Sequence, residues 1–152
     1  MKILVGILII FFILVFMYTR AFQINKAPLK SPPGFWKRFA FYMNTHIAET
    51  SDNNVFEEMR TPKYKISPEH LFEKVKMGAN KLGWKINNID ENNRELVAVI
   101  ETKLFKFRDN IKVKVDSDIQ GSKIYAYSKS SFSIGDMGAN QKHIMDLLEL
   151  LK

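Results

Sequence analysis

The sequence predicts an α+β fold: an N-terminal transmembrane helix followed by a two-layer sandwich of a four-stranded antiparallel sheet and two helices. Three observations carry this. Residues 3–18 form an apolar run broken only by Gly6. Two stretches, near 68–82 and 137–151, repeat apolar residues at helical spacing. Between them, segments of alternating or β-branched residues are separated by turn-forming clusters. The 152 residues suffice for one ordinary domain, and 46% hydrophobic with 26% charged residues excludes a disordered tail or a polytopic membrane protein. Cysteine is absent, which excludes disulfide scaffolds, thiolate metal sites, cysteine nucleophiles and a lipidated cysteine.

The anchor comes first. The sixteen residues Ile3 to Tyr18 rise about 24 Å as a helix, a little short of a hydrocarbon core of ~30 Å. Thr19 and Phe22 extend the run, and Arg20 can snorkel to the headgroups. Lys2 before an apolar core also begins an export signal. No A-x-A site follows, because the chain reads Tyr18-Thr19-Arg20-Ala21-Phe22. Residues 1–22 therefore read as an uncleaved single-pass anchor.

The net charge of +7 divides unevenly. Lys2 contributes +1, and Arg20, Lys26, Lys30, Lys37 and Arg38 contribute +5 with no acid among residues 20–38. Residues 39–152 hold 17 bases against 16 acids and are nearly neutral. The excess lies beside the anchor, where anionic lipid headgroups are the natural partner. Nucleic acid is not expected, since the charge that dominates such binding is missing from the folded part.

Residues 23–43 read as a basic aromatic linker. Lys30-Ser31-Pro32-Pro33-Gly34 cannot continue a helix. Phe35-Trp36-Lys37-Arg38-Phe39-Ala40-Phe41-Tyr42 follows, half of it aromatic. One reading lays this stretch on the headgroups, and the other packs its aromatics onto the domain core. On the first, Arg20, Lys26, Lys30, Trp36, Lys37 and Arg38 face lipid.

Residues 44–152 read as the soluble α+β domain. Segment 44–66 has weak periodicity and is expected to be mostly irregular. Ser67-Pro68-Glu69 starts a helix, with Ser as N-cap, Pro at the first position and an acid in the first turn. Leu71, Phe72, Val75, Ala79 and Leu82 follow at helical spacing, and Gly83 ends it. Strands are expected at 84–89, 95–102, 111–115 and 123–130, with a turn at Asp90-Glu91-Asn92-Asn93. The last helix runs from about Met137 to Leu151, with Ile144, Leu147 and Leu148 on its apolar stripe. Strands joined by short turns pair antiparallel, and the two helices cover one face.

Candidate sites are few. His46, His70 and His143 lack helical metal spacing, so no metal is expected, and no cofactor motif is present. His70 and His143 read as surface histidines. No phosphate loop or G-x-S-x-G elbow occurs. Lys103 to Asn110 interleaves bases with aromatics: Phe105 and Phe107 on one face, Leu104, Lys106 and Arg108 on the other. It reads as a strand with a solvated face, or else as a lip touching lipid or an anion. The stretch 128–140 leaves a strand, passes Gly135 and Gly138, and enters a helix. Asp136 is placed as the N-cap, with Asn140 one turn in. Its side chains either satisfy backbone groups at the junction or line a polar pocket built from Ser128, Ser130, Asp136 and Asn140.

Ala48-Glu49-Thr50-Ser51, Tyr64, Leu104 to Asn110, Tyr127-Ser128-Lys129-Ser130 and Gly135-Asp136-Met137-Gly138-Ala139-Asn140 occur in this order. Together they resemble the bacterial domain-of-unknown-function family DUF1499, over about residues 44–151. The family usually carries paired acids where this chain has Asp109-Asn110, and arginines where it has Tyr127 and Ser131. Ser128, Ser130, Asp136, Gly138 and Asn140 match. The resemblance implies fold and location rather than chemistry: membrane-anchored or exported domains of the bacterial envelope. It places the domain in the periplasm, tethered to the inner membrane. The charge count, with Lys2 outvoted by five bases beyond the apolar run, gives the cytoplasm. The expected function is a non-enzymatic binding or interaction module. A hydrolase-like enzyme using the junction 128–140 and an anionic-lipid-binding module are the alternatives.

Overall fold

The computed structural model describes residues 2–102, 106–131 and 135–152. The first helix, α1 (Lys2–Ile24), has 23 residues and is about 34 Å long at ~1.5 Å per residue. It is longer than the apolar run because Thr19 to Ile24 stay helical. Among the described residues it is the helix long and apolar enough to cross a membrane. Its exposed apolar surface ends at Ala21 and Phe22, which are buried in the domain. The chain leaves α1 through Lys26, whose φ of 49° is left-handed.

A second helix, α2 (Phe35–Asn44), occupies the expected linker. Its inner side carries Arg38 and Tyr42, which are buried, with Phe39 and Met43 packed against the core, while Phe35 is exposed. Phe22 packs against Phe39 and Tyr42 with ring centroids 5.7 and 6.3 Å apart. The neck aromatics therefore divide. Phe39 and Tyr42 pack inward, while Trp36 stays 78% exposed.

Six strands make the sheet, not four. They are β1 (Ile47–Glu49), β2 (Lys63–Tyr64), β3 (Lys85–Asp90), β4 (Glu95–Glu101), β5 (Arg108–Asp118) and β6 (Gly121–Ser130). The order is β1-β6-β5-β4-β3, with β2 also on β6, and every pairing is antiparallel. The two additional strands are three and two residues long. Neither is long enough to show a period of two. A short 3₁₀ turn lies between them, at Glu57–Met59. Residues 44–66, expected to be mostly irregular, are so outside these two short strands and the turn.

Two further helices, α3 (Pro68–Lys81) and α4 (Ala139–Leu150), cover one sheet face. The Ser67 side chain accepts from the His70 amide at 3.2 Å, as the N-cap reading requires. Four α-helices are present among the described residues, where three including the expected transmembrane helix were predicted. Beneath α3 and α4 lie Leu96 and Ala98 of β4, Ile111, Val113 and Val115 of β5, and Ile124 and Ala126 of β6. The opposite face carries Lys112, Lys114 and Tyr127, and no helix among the described residues covers it. Thr102, Lys106 and Phe107 lie outside strands β4 and β5. The Thr102 amide donates to the Phe107 carbonyl, and Lys106 has a φ of 56°. The expected alternation through Leu104 and Phe105 falls outside the described residues.

Candidate functional site

Strand alternation decides which polar residues enter the interior. On β5, the inward series Val115, Val113, Ile111 continues to Asp109; on β6, Ile124 and Ala126 continue to Ser128 and Ser130. The core face therefore turns polar at one end, where α4 begins. Ser128, Asp109 and Asn140 are fully buried, and Ser130 nearly so.

The structure brings Ser128, Ser130, Asp136 and Asn140 together. Ser128 Oγ donates to Asn140 Oδ1 at 2.6 Å. Asn140 Nδ2 lies 2.7 Å from Ser130 Oγ, 2.6 Å from Asp136 Oδ2 and 3.0 Å from the His46 carbonyl. Its two hydrogens are shared among three acceptors. Asp136 Oδ1 accepts from the Gly138 amide at 2.7 Å, and Oδ2 from the Asn140 amide at 3.2 Å. The formal N-cap of α4 is Gly138, left-handed at φ 86°, so the helix starts two residues later than expected. Asp136 still satisfies two amides of its first turn. Burial pushes the Asp136 carboxyl above the usual carboxylate range, against the hydrogen bonds from Asn140 and Gly138 that pull it down. Of this junction, Phe132, Ser133 and Ile134 lie outside the described residues.

The same junction fastens the end of α1. Asn25 Nδ2 donates to the Asp136 carbonyl at 3.3 Å and to the Met137 carbonyl at 3.1 Å. The Asp136 and Met137 amides donate to the Thr45 and Tyr42 carbonyls. Gly135 lies so close to α2 that a Cβ there would overlap the Met43 and Tyr42 carbonyl oxygens.

Two polar arrangements were not expected. His143 is not a surface histidine: its Nε2 lies 2.9 Å from Asp109 Oδ2. Asp109 Oδ1 is buried and has no hydrogen-bond partner among the described residues. Asp109's inward position was readable from the Ile111-Val113-Val115 alternation; its histidine partner, 34 residues on, was not.

Arg38 requires a correction. It does not face lipid, because its side chain is 0% exposed. Nη1 and Nη2 donate to Glu58 Oε1 and Oε2 at 2.7 and 3.1 Å, Nε and Nη2 to the Pro32 carbonyl, and Nη1 to Tyr42 Oη. Tyr42 Oη donates to Gln141 Oε1 at 2.9 Å, and Gln141 Nε2 returns to Glu58 Oε1 at 2.8 Å. The guanidinium also lies 4.1 Å from the Phe56 ring centroid. This closed ring ties α2 to the 3₁₀ turn and α4. Burial acts to raise the Glu58 carboxyl, but Arg38 and Gln141 outweigh it and hold it below the usual range. Arg20, Lys26, Lys30, Trp36 and Lys37 remain exposed.

An open groove of about 520 Å³ lies beside this ring. Phe41 of α2, Ile47 and Ala48 of β1, and Val55, Phe56 and Met59 form its apolar walls, with Lys37 and Glu49 in its lining. None of Ser128, Ser130, Asp136 or Asn140 lines it. Among the described residues, no group of three His, Asp or Glu side chains is placed to hold a metal ion.

Fold and junction define a class: a two-layer α+β domain, one sheet face open, with a long apolar helix locked onto its polar end. A family model described as "Protein of unknown function (DUF1499)" matches residues 28–151. The chain belongs to that family. The match takes in α2 and the segment before it, as well as the sheet and its covering helices. No curated protein matches the chain.

Proposed function

We propose that this protein is a non-enzymatic binding module, held at the bacterial inner membrane by α1 as an uncleaved anchor, with its domain in the periplasm. The observation that carries this is the docking of the anchor's end: Asn25 is bonded to the strand-to-helix junction and Phe22 packs on α2. α1 is continuous through Ile24, and Ala21 is buried. A peptidase acting near residue 21 would have to unwind a helix packed into the core. The domain is therefore mounted on its anchor rather than hung from a flexible tether. The Ser128 and Ser130 hydroxyls are spent on Asn140, which supports a locking role over nucleophilic chemistry. The exposed Arg20, Lys26, Lys30 and Lys37 support contact with anionic headgroups.

The test uses the full chain with reporters fused after Lys152, one active only in the periplasm and one only in the cytoplasm. The expected result is periplasmic activity from intact protein that resists alkaline extraction from membranes. A shortened, soluble product would refute the anchor. Cytoplasmic activity would refute the orientation and give the positive-inside count precedence.

A further inference from the structure

The groove between α2, β1 and residues 51–59 has the chemistry of an amphiphile site. Its volume of about 520 Å³ falls within the ~300–1,000 Å³ usual for small-molecule sites. Its walls are aliphatic and aromatic. Val55, 72% exposed, projects there with no layer over it. Lys37 and Glu49 both line it, and neither forms an ion pair among the described residues. Trp36, the residue before Lys37, is 78% exposed on the helix that follows the anchor.

The edge of β1 argues against an extended peptide. A peptide adding as a strand needs free backbone groups along that edge. Thr45 Oγ1 already donates to the Ile47 carbonyl, and Asn54 Nδ2 to the Glu49 carbonyl. An alkyl chain needs none of these bonds. An unpaired cation beside an apolar trough, on the helix that follows α1 and within the acid-free basic run 20–38, complements an acyl chain with an anionic headgroup.

We infer that this groove binds an acyl chain of an anionic phospholipid from the bilayer that α1 crosses, with Lys37 at the headgroup phosphate. This rests on the membrane-anchored reading above and names the ligand class of that module.

The experiment uses the full chain in phosphatidylcholine vesicles containing a minor fraction of phosphatidylglycerol with a photoactivatable acyl chain. After illumination, adducts are mapped by mass spectrometry. Adducts are expected on α1 and on the groove peptides bearing Phe41 and residues 51–59. Val55→Asp places a charge in the trough and is expected to lower groove adducts about tenfold, leaving those on α1 unchanged. Lys37→Glu is expected to lower groove labelling by phosphatidylglycerol but not by an equivalent phosphatidylcholine probe. Both positions are exposed, so neither change threatens the fold. Adducts confined to α1, or groove adducts that Val55→Asp leaves intact, overturn the lipid site while the anchor stands. Loss of adducts from α1 as well overturns the anchored reading itself.

Discussion

Replacing Glu58 by alanine leaves the Arg38 guanidinium buried without its carboxylate. Arg38 is 0% exposed and Glu58 is 23% exposed, so the pair sits at the inner edge of the domain with one side partly wet. Removing one partner of a buried ion pair costs about 3–5 kcal/mol, because the survivor keeps its desolvation penalty. The partial exposure of Glu58 and the remaining bonds to the Pro32 carbonyl and Tyr42 place the expected loss near the low end, about 3 kcal/mol. For a chain of this size that lowers Tm by roughly 6–12 °C. Trp84 is buried in the core and reports unfolding by fluorescence, over a background from exposed Trp36. The double variant Arg38→Met, Glu58→Leu removes both charges and is expected within about 1 kcal/mol of the natural chain. A Glu58→Ala loss below about 1 kcal/mol, or a double variant no better than the single one, would refute the buried-pair argument. Acid supplies a second reading. A carboxyl held below its unfolded value contributes stability above that value and loses it as pH falls through the folded value. The natural chain's advantage over Glu58→Gln should be full at neutral pH and vanish in acid.

The remaining predictions concern the junction. Asn140→Asp keeps the shape but removes the Nδ2 donor that reaches Ser130, Asp136 and the His46 carbonyl, and sets two carboxyls side by side; a loss of about 2–4 kcal/mol in denaturant unfolding is expected, and a neutral result would show that the network is dispensable. Gly135→Ala forces a Cβ against the Met43 and Tyr42 carbonyls, which are backbone and cannot swing aside; thermal unfolding should show a loss above about 2 kcal/mol, whereas Gly83→Ala meets open space and tests the left-handed backbone alone.

The legible parts of the fold were those with length and period. The α3 helix carried its cap and stripe in the chain, β4 showed its run of Val and Ile, and β5 its alternation from Ile111 to Val115. β1 and β2 are too short to show any, and their strand state comes from pairing with β6. α2 was legible in principle, since Phe35, Phe39 and Tyr42 keep helical spacing. Its composition drew attention to the headgroups instead. Arg38 shows why: a base in an acid-free run has its partner twenty residues away, in a 3₁₀ turn without a sequence signature. Ser128, Ser130, Asp136 and Asn140 were legible as a group because strand and helix registers bring them to one junction.

The residues that carry the family resemblance also explain why α1 and the domain form one unit. Gly135 permits the close approach of α2, Asp136 holds the first amides of α4, Gly138 supplies a left-handed turn, and Asn140 joins three segments. Asn25, directly after α1, hydrogen-bonds the backbone of the same turn. The motif is thus accounted for by geometry inside the protein, and it has little surface left for a ligand. The groove's walls come instead from α2, β1 and residues 51–59, most of them outside the junction. A rigid mount fixes that groove in orientation to the end of α1. On the proposed reading, in which the module draws its ligand from a membrane, this keeps the trough at one height above the headgroups, and a flexible linker would not.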